Sequence, residues 1–170
     1  MTSPTPARPP KAEATIRIAD EAGLAGFARR LVATLPTRAF VTLSGELGAG
    51  KTTLVKAVAA AAGLDPAEVI SPTFGLIHEH GLPAAAGRPA RLVHADLYRL
   101  TGIDELAETG WEDAVSGDTW VFVEWPERIA AALPAERLEI TIGIESPSAR
   151  TLACRGLGPA AAATVAALSP

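Results

Sequence analysis

The sequence predicts a single α/β domain of three layers, with a central sheet that mixes parallel and antiparallel strands. Its length of 170 residues is within the range of one domain. Short apolar runs alternate with helix-length segments in the first half of the chain, and strand-like segments follow in pairs in the second half. A composition of 48% hydrophobic and 20% charged residues is typical of a globular protein that builds its own core.

The first half of the chain supplies alternating strands and helices. Period-two alternation predicts a strand over 15–18, and apolar residues at steps of three and four predict a helix that begins at Asp20 or Glu21. A continuous apolar run predicts a buried strand over 39–43. A glycine-rich loop follows it, and then a helix over 51–62 that ends before a glycine.

The second half of the chain is richer in strands. Short helical turns are predicted over 103–115, and Pro126 is suited to the first turn of a helix that continues to Leu133. A loop over 81–89 contains two glycines and two prolines. The predicted strands are 74–80, 91–95, 120–124, 138–144 and 151–153.

Neither end of the chain has the pattern of a folded element. Residues 1–13 contain four prolines and no apolar periodicity, which predicts a disordered tail. Residues 156–170 are mostly glycine, proline and alanine and offer few large side chains, which predicts a weakly ordered end. The domain is therefore expected to span 14–155.

The charge and the cysteine count exclude several classes of protein. With 15 Lys and Arg against 19 Asp and Glu, the net charge is −4, so the chain lacks the basic field that would hold nucleic acid unaided. Its one cysteine, Cys154, excludes an internal disulfide. We find neither a secretory signal nor an apolar run of about 20 residues, and expect a cytoplasmic protein without membrane contact.

The strongest motif is Gly45–Thr52, GELGAGKT, which matches the phosphate-binding pattern GxxxxGK[ST] at every required position. Its glycines let backbone N–H groups point at phosphate oxygens, and the N-terminus of the next helix adds positive charge there. Lys51 is expected to reach the β- and γ-phosphates and the Thr52 hydroxyl to ligate Mg²⁺. A chance glycine-rich turn is the alternative, which the preceding strand and following helix disfavour. Because no NKxD segment for guanine is present, we predict ATP.

Two acidic residues end predicted buried strands and are candidates for the metal site. Glu124 follows the apolar run 120–123, and Asp96 follows 91–95. Ligands of such sheets bind at the carboxyl ends of the strands, where both carboxylates are expected. A helix cap or an ordinary surface acid is the alternative for each.

Four further segments share the order and approximate spacing of a known family. They are SPTF at 71–74, HADLYRL at 94–100, Glu105-Leu106 with Gly110, and EWPE at 124–127. Together with GELGAGKTT, they resemble the bacterial tRNA threonylcarbamoyladenosine biosynthesis ATPases called TsaE or YjeE. The resemblance covers residues 16 to 154, and the combination is far more specific than the phosphate loop alone.

The resemblance implies a Mg²⁺-dependent ATPase that binds the TsaB–TsaD pair and drives its turnover in threonylcarbamoylation of the adenosine beside the anticodon. The tRNA is then met only through that complex. Carried over by position, Thr52, Asp96 and Glu124 form the metal site, and Lys51, Asp96 and Glu124 the catalytic set. The implied nucleotide-binding residues are Glu21, Gly45, Glu46, Gly48, Ala49, Gly50, Lys51, Thr52, Thr53, Trp125 and Arg150. Glu46 stands where the family commonly has Asp.

The sequence alone also allows other interpretations of the same residues. An ATP-gated binding module would use the same loop, and so would a small-molecule kinase, although we find no clustered lid arginines. Thr73 in the segment 71–74 is either a switch residue that senses the γ-phosphate or part of a plain turn. His94 is interpreted as a hydrogen-bonding residue that orients the turn at Asp96, rather than as a zinc ligand.

Overall fold

The computed structural model of the chain describes residues 11–70, 72 and 75–169. Its strands are β1 (Lys11–Ile18), β2 (Ala39–Ser44), β3 (Ile77–Gly81), β4 (Arg91–Asp96), β5 (Trp120–Glu124), β6 (Arg137–Ile144) and β7 (Arg150–Leu157). They form one seven-stranded sheet in the order β1-β7-β6-β2-β5-β4-β3. The middle strands β6, β2, β5 and β4 are parallel, whereas β7, β1 and β3 pair in the antiparallel direction. The predicted mixed sheet is confirmed.

The helices lie on both sides of this sheet. They are α1 (Glu21–Thr34), α2 (Lys51–Ala61), α3 (Ile103–Ala107), α4 (Trp111–Ala114) and α5 (Pro159–Leu168), with 3₁₀ helices at Pro66–Glu68 and Pro126–Ala132. Helix α1 begins where the sequence predicts, because the Asp20 carboxylate accepts a hydrogen bond of 2.8 Å from the Gly23 N–H.

Alternate side chains of the central strands divide the core into two clusters. In β5, Trp120 and Phe122 belong to the cluster shared with α1, α2 and α5, and Val121 and Val123 belong to the cluster shared with α3 and α4. Successive strand residues point to opposite faces, so one strand serves both clusters. The result is the expected three-layer domain, and α2 covers the face on which Glu124 lies in register with Leu43.

The C-terminal segment differs from the prediction. Residues 156–170 were expected to be weakly ordered, but β7 continues to Leu157 and α5 then packs on β1, β7 and α1. Val165 and Leu168 are completely buried. An alanine-rich helix has no strong amphipathic pattern, yet its small side chains allow the close approach that buries these two residues.

The N-terminal boundary also differs from the prediction. Residues 11–13 were assigned to the tail, but they belong to β1, whose first pair joins Lys11 to Leu157. Backbone pairing of this kind needs no apolar side-chain pattern, so periodicity did not reveal it. Residues 1–10 lie outside the described residues.

Two local differences remain, and one further finding concerns membranes. The predicted helix after Pro126 is a 3₁₀ helix interrupted at Ile129, where φ is −128°. The described part of the predicted strand 74–80 is extended only from Ile77 onward, and Phe74 lies outside the described residues.

Within the described ranges, no helix combines the length and the apolar character needed to cross a membrane.

Candidate functional site

The phosphate-loop motif connects the end of β2 to the start of α2. Gly45 has a φ of 151°, and a Cβ at this position would be 2.7 Å from the Ile142 carbonyl oxygen, so only glycine fits. Gly50, the N-cap of α2, has a φ of 107°. The N-terminus of α2 therefore opens toward the loop without a side-chain cap, which leaves its N–H groups directed at the loop.

Lys51 is folded back over the loop. Its side chain is 5% exposed, and Nζ donates hydrogen bonds to the carbonyl oxygens of Gly45 at 2.7 Å and Glu46 at 3.0 Å. Burial lowers the pKa of the Lys51 ammonium, although the carboxylates of Glu124 and Asp96 oppose that shift. The ammonium is thus held at the loop, near two acids.

Glu124 and Thr52 meet at the base of the loop. Glu124 is the last residue of β5 and is only 3% exposed. The Thr52 hydroxyl, in the first turn of α2, donates a 2.6 Å hydrogen bond to Glu124 Oε1. A hydroxyl oxygen and a carboxylate are ligands that Mg²⁺ prefers, and Mg²⁺ commonly completes its shell with water and substrate phosphates. These donor atoms fit Mg²⁺.

Asp96 lies beside Glu124 at the same edge of the sheet. The parallel pairing of β4 and β5 places the two residues in register. Asp96 is less buried than Glu124, and its Oδ1 accepts a 3.0 Å hydrogen bond from the Tyr98 backbone N–H. In the described part of the chain, no group of three or more His, Cys, Asp or Glu residues is arranged to hold a metal by itself.

Trp125 extends the site next to Lys51. The Lys51 Nζ lies 4.1 Å from the centroid of the Trp125 ring, within the range of a cation–π contact. The Tyr98 ring centroid lies 4.9 Å from that of Trp125. Trp125 has a φ of 59°, and no other described non-glycine residue has a positive φ. This strained backbone marks the turn that follows Glu124.

His94 lies beneath the acids, and its role differs from the one that the sequence predicts. The side chain is completely buried, and Nε2 lies 2.8 Å from Glu124 Oε1. The predicted orienting bond to the turn at Asp96 is thus replaced by a bond to the neighbouring strand. Alternation places His94 and Asp96 on one face of β4, but only the register with β5 shows that this face carries Glu124.

A cavity of about 600 Å³ adjoins the phosphate loop, and Trp125 is not among the residues that line it. It is lined by six of the predicted nucleotide-binding residues, Glu21, Gly48, Ala49, Gly50, Thr53 and Arg150. The Arg150 guanidinium donates hydrogen bonds of 2.8 Å to the carbonyl oxygens of Ala49 and Ser146. It therefore ties the phosphate loop to the turn between β6 and β7.

The other predicted residues have simpler positions. The Glu46 side chain is exposed at the tip of the loop. Thr52 contacts Glu124 directly, and Lys51 contacts both Gly45 and Trp125. In the segment 71–74, only Pro72 is described, so the proposed switch residue Thr73 lies outside the described residues.

Comparison with known proteins identifies the family of the chain. The chain matches the family model described as threonylcarbamoyl adenosine biosynthesis protein TsaE over residues 18–152. It is 34% identical over 116 residues to the tRNA threonylcarbamoyladenosine biosynthesis protein TsaE of Rickettsia bellii, which covers 68% of this chain and 76% of the relative. It is 38% identical over 135 residues to the same protein of Streptomyces coelicolor, with 76% and 88% covered.

A solved structure has a similar fold. The crystal structure of Bacillus subtilis YdiB superposes with a TM-score of 0.69 at 26% sequence identity. The superposition covers 94% of this chain and 95% of that one. The similarity therefore extends over most of the chain and beyond the segment that the family model matches.

Proposed function

Because the chain belongs to the TsaE family of threonylcarbamoyl adenosine biosynthesis proteins, we propose that it is a Mg²⁺-dependent ATPase that drives turnover of a TsaB–TsaD complex. Membership of the family assigns the chain to biosynthesis of threonylcarbamoyladenosine in tRNA. The observation that carries the ATPase assignment is the 2.6 Å contact between Thr52 and Glu124 at the base of a complete phosphate loop.

The loop and Lys51 bind and neutralise the phosphates of ATP. The backbone N–H groups at the start of α2 point toward the phosphate oxygens, and the helix dipole adds positive charge. Lys51 exchanges its two carbonyl partners for phosphate oxygens, so that the buried ammonium gains anionic partners. This is binding by positioned charge, which is the main source of catalysis in phosphoryl transfer.

Thr52 and Glu124 hold the metal, and Asp96 acts on the water. Mg²⁺ bound there supplies charge neutralisation at the phosphate oxygens. Asp96 lies one strand away from Glu124 and orients or deprotonates the attacking water, or supports the metal. The water oxygen bonds to the γ-phosphorus, the bond from the γ-phosphorus to the bridging oxygen of ADP breaks, and the water's proton leaves to Asp96 or to the phosphate.

The cavity beyond the loop takes the nucleoside part of ATP. Glu21 and Arg150 line this cavity together with Gly48 and Thr53. The Arg150 guanidinium is fixed by backbone carbonyls and presents a flat, positively charged surface rather than a mobile finger. ATP is proposed over GTP because the chain has no NKxD segment.

Hydrolysis is proposed to be slow in the isolated chain and faster on the partner complex. Arg150 is already engaged at the loop, so it is poorly placed to reach the γ-phosphate as an arginine finger. Large apolar side chains are exposed near the site, with Leu47 in the phosphate loop 76% and Tyr98 46% exposed. Exposed apolar groups around a catalytic centre support docking of a protein partner there.

Two further parts of the proposal concern the tRNA and the location of the protein. A net charge of −4 supports contact with tRNA through the partner complex rather than directly. A cytoplasmic location is proposed because the tRNA that this pathway modifies is found there.

The test is ATP hydrolysis by the full chain, alone and with its own TsaB and TsaD, in the wild type and in Lys51→Ala. Lys56→Ala is the matched control, since Lys56 lies on the same helix α2 but makes none of the loop contacts. We expect stimulation by the partners that Lys51→Ala abolishes and Lys56→Ala retains. ATP binding without any stimulation would contradict the proposed partners, and absence of ATP binding would contradict the whole proposal.

A further inference from the structure

We propose that His94 is a positioning residue that sets the orientation of the Glu124 carboxylate, an inference that rests on the proposed function. His94 Nε2 lies 2.8 Å from Glu124 Oε1, and the Thr52 hydroxyl donates to the same oxygen at 2.6 Å. Neither bond uses Oε2. The carboxylate of β5 is therefore held through one oxygen by donors from α2 and β4.

The burial of both groups makes this contact strong and specific. The side chain of His94 is 0% exposed and that of Glu124 is 4% exposed. A buried carboxylate needs hydrogen-bond donors to offset its desolvation, and a bond in such surroundings is electrostatically stronger than one in water. Since the Glu124 carboxylate oxygen Oε1 is the acceptor, a ring hydrogen is assigned to His94 Nε2.

The other ring nitrogen argues against a role in packing alone. His94 Nδ1 is buried and has no hydrogen-bond partner among the described residues. Enclosing an unpaired polar atom is unfavourable, and an apolar side chain of similar size would avoid that cost. The cost is explained if the chain needs the Nε2 donor at this position to fix Glu124.

The expected consequence follows from the two donors on one oxygen. A carboxylate held only by Thr52 can rotate, whereas the second donor on β4 fixes its plane and keeps Oε2 in one direction. Replacing a residue that orients a metal-binding carboxylate by a hydrogen bond commonly lowers metal affinity or activity by about 10- to 100-fold. His94 is thus expected to govern how strongly Mg²⁺ and nucleotide binding support each other.

The experiment compares His94→Gln with His94→Met in the full chain. The two replacements are similar in size, but the Gln amide nitrogen lies near the position of Nε2 and can donate, whereas Met cannot. The affinity for ADP is measured by calorimetry with excess Mg²⁺ and with EDTA, and the ratio of the two Kd values reports the coupling to the metal. Val93→Ala is the packing control, because Val93 is equally buried in β4 but belongs to the other core cluster.

We expect His94→Met to reduce the coupling ratio by about tenfold or more, and His94→Gln to stay within about threefold of the wild type. Binding of ADP in EDTA and the ratio in Val93→Ala should remain near the wild type. An unchanged ratio in His94→Met would overturn the inference, and so would an equal loss in Gln, Met and Val93→Ala. If the wild type itself binds no ADP or shows no Mg²⁺ effect, the proposed function fails instead.

A second replacement keeps the test decisive if His94→Met does not fold. His94→Asn is polar and small, but its amide nitrogen is near the position of Nδ1 and does not reach Glu124. We then expect His94→Asn to lose the coupling that His94→Gln retains. Equal coupling ratios in these two variants would overturn the positioning role.

Discussion

At the scale of single residues, the two acids at the sheet edge have different surroundings. Glu124 is enclosed by Thr52 and His94, which suits a carboxylate with a fixed direction. Asp96 is less buried and accepts a bond from the Tyr98 N–H, in a turn that follows β4. This difference supports the proposal that Glu124 holds the metal and that Asp96 acts on the water.

Replacing Asp96 by Asn should therefore lower the rate of hydrolysis without a matching loss of binding. We expect kcat to fall by about 100-fold or more, the range for loss of a catalytic acid or base, while the Kd for ADP with Mg²⁺ changes little. Partner-stimulated ATPase assays and calorimetry measure the two quantities, with Asp118→Asn at an exposed site as the charge-matched control. If the Kd rises as much as kcat falls, Asp96 is a metal ligand instead.

The buried thiol of Cys154 yields a prediction about stability at high pH and about thiol reactivity. The side chain is 2% exposed, and burial raises the pKa of its thiol from 9.0 to about 11. The folded state disfavours the thiolate. The buried neutral thiol therefore makes its full contribution to the free energy of unfolding below pH 9, and this contribution is lost as the pH rises toward 11. We expect no reaction with a thiol reagent at pH 8 in the native protein and rapid reaction in denaturant. Equal rates in both conditions would contradict the buried position.

The sequence identifies site residues that belong to one continuous motif. It does not identify contacts between residues on neighbouring strands, because these depend on the register of strand pairing. Lys51 and Thr52 are recognised because the loop motif and the following helix occur in one continuous segment. The partner of His94 was not predicted, since it lies 30 residues away on a strand whose alignment is set by parallel pairing. Sequence alternation gives the face of a strand but not its neighbour's register.

At the scale of elements, the weakest prediction was the C-terminal segment. Helix α5 is built mostly of alanine, so no amphipathic stripe marks it in the sequence. Its stability comes from close contact with β7. The crossing point is Gly156, where an added Cβ would be 2.4 Å from the Ala161 carbonyl oxygen.

Gly156→Ala should consequently be destabilising. The new methyl group would clash with backbone atoms of α5, which cannot move aside as a flexible side chain can. Overpacking of this kind costs roughly 1–3 kcal/mol, and we expect the upper part of that range in the free energy of unfolding. Denaturant titration measures the change. Gly143→Ala on β6 is the control, since its nearest contact would be an ordinary 3.9 Å, and equal losses in both variants would contradict the close crossing.

At the scale of the whole molecule, different strands of the sheet position the site residues and complete the core. The parallel strands β2, β5 and β4 bring Thr52, Glu124 and Asp96 to one edge, whereas β1, β7 and α5 complete the core at the other side of the sheet. The fold class and the family were predicted correctly because the motifs lie in the parallel part. The predicted domain boundaries were less accurate, because the antiparallel strands β1 and β7 and helix α5 are held by backbone pairing and small side chains.

Truncation after Gly158 tests whether α5 belongs to the domain. Its removal exposes the surface that Val165 and Leu168 cover, and burial of each such side chain contributes about 1.5–3 kcal/mol. We expect a loss of about 3 kcal/mol or more, a large part of the usual 5–15 kcal/mol, and a fall in Tm of at least about 6 °C. Thermal unfolding by circular dichroism measures it, with truncation after Leu168 as the control. Equal midpoints in the two truncated chains would restore the boundary at 155, whereas a large difference extends the domain to the end of α5.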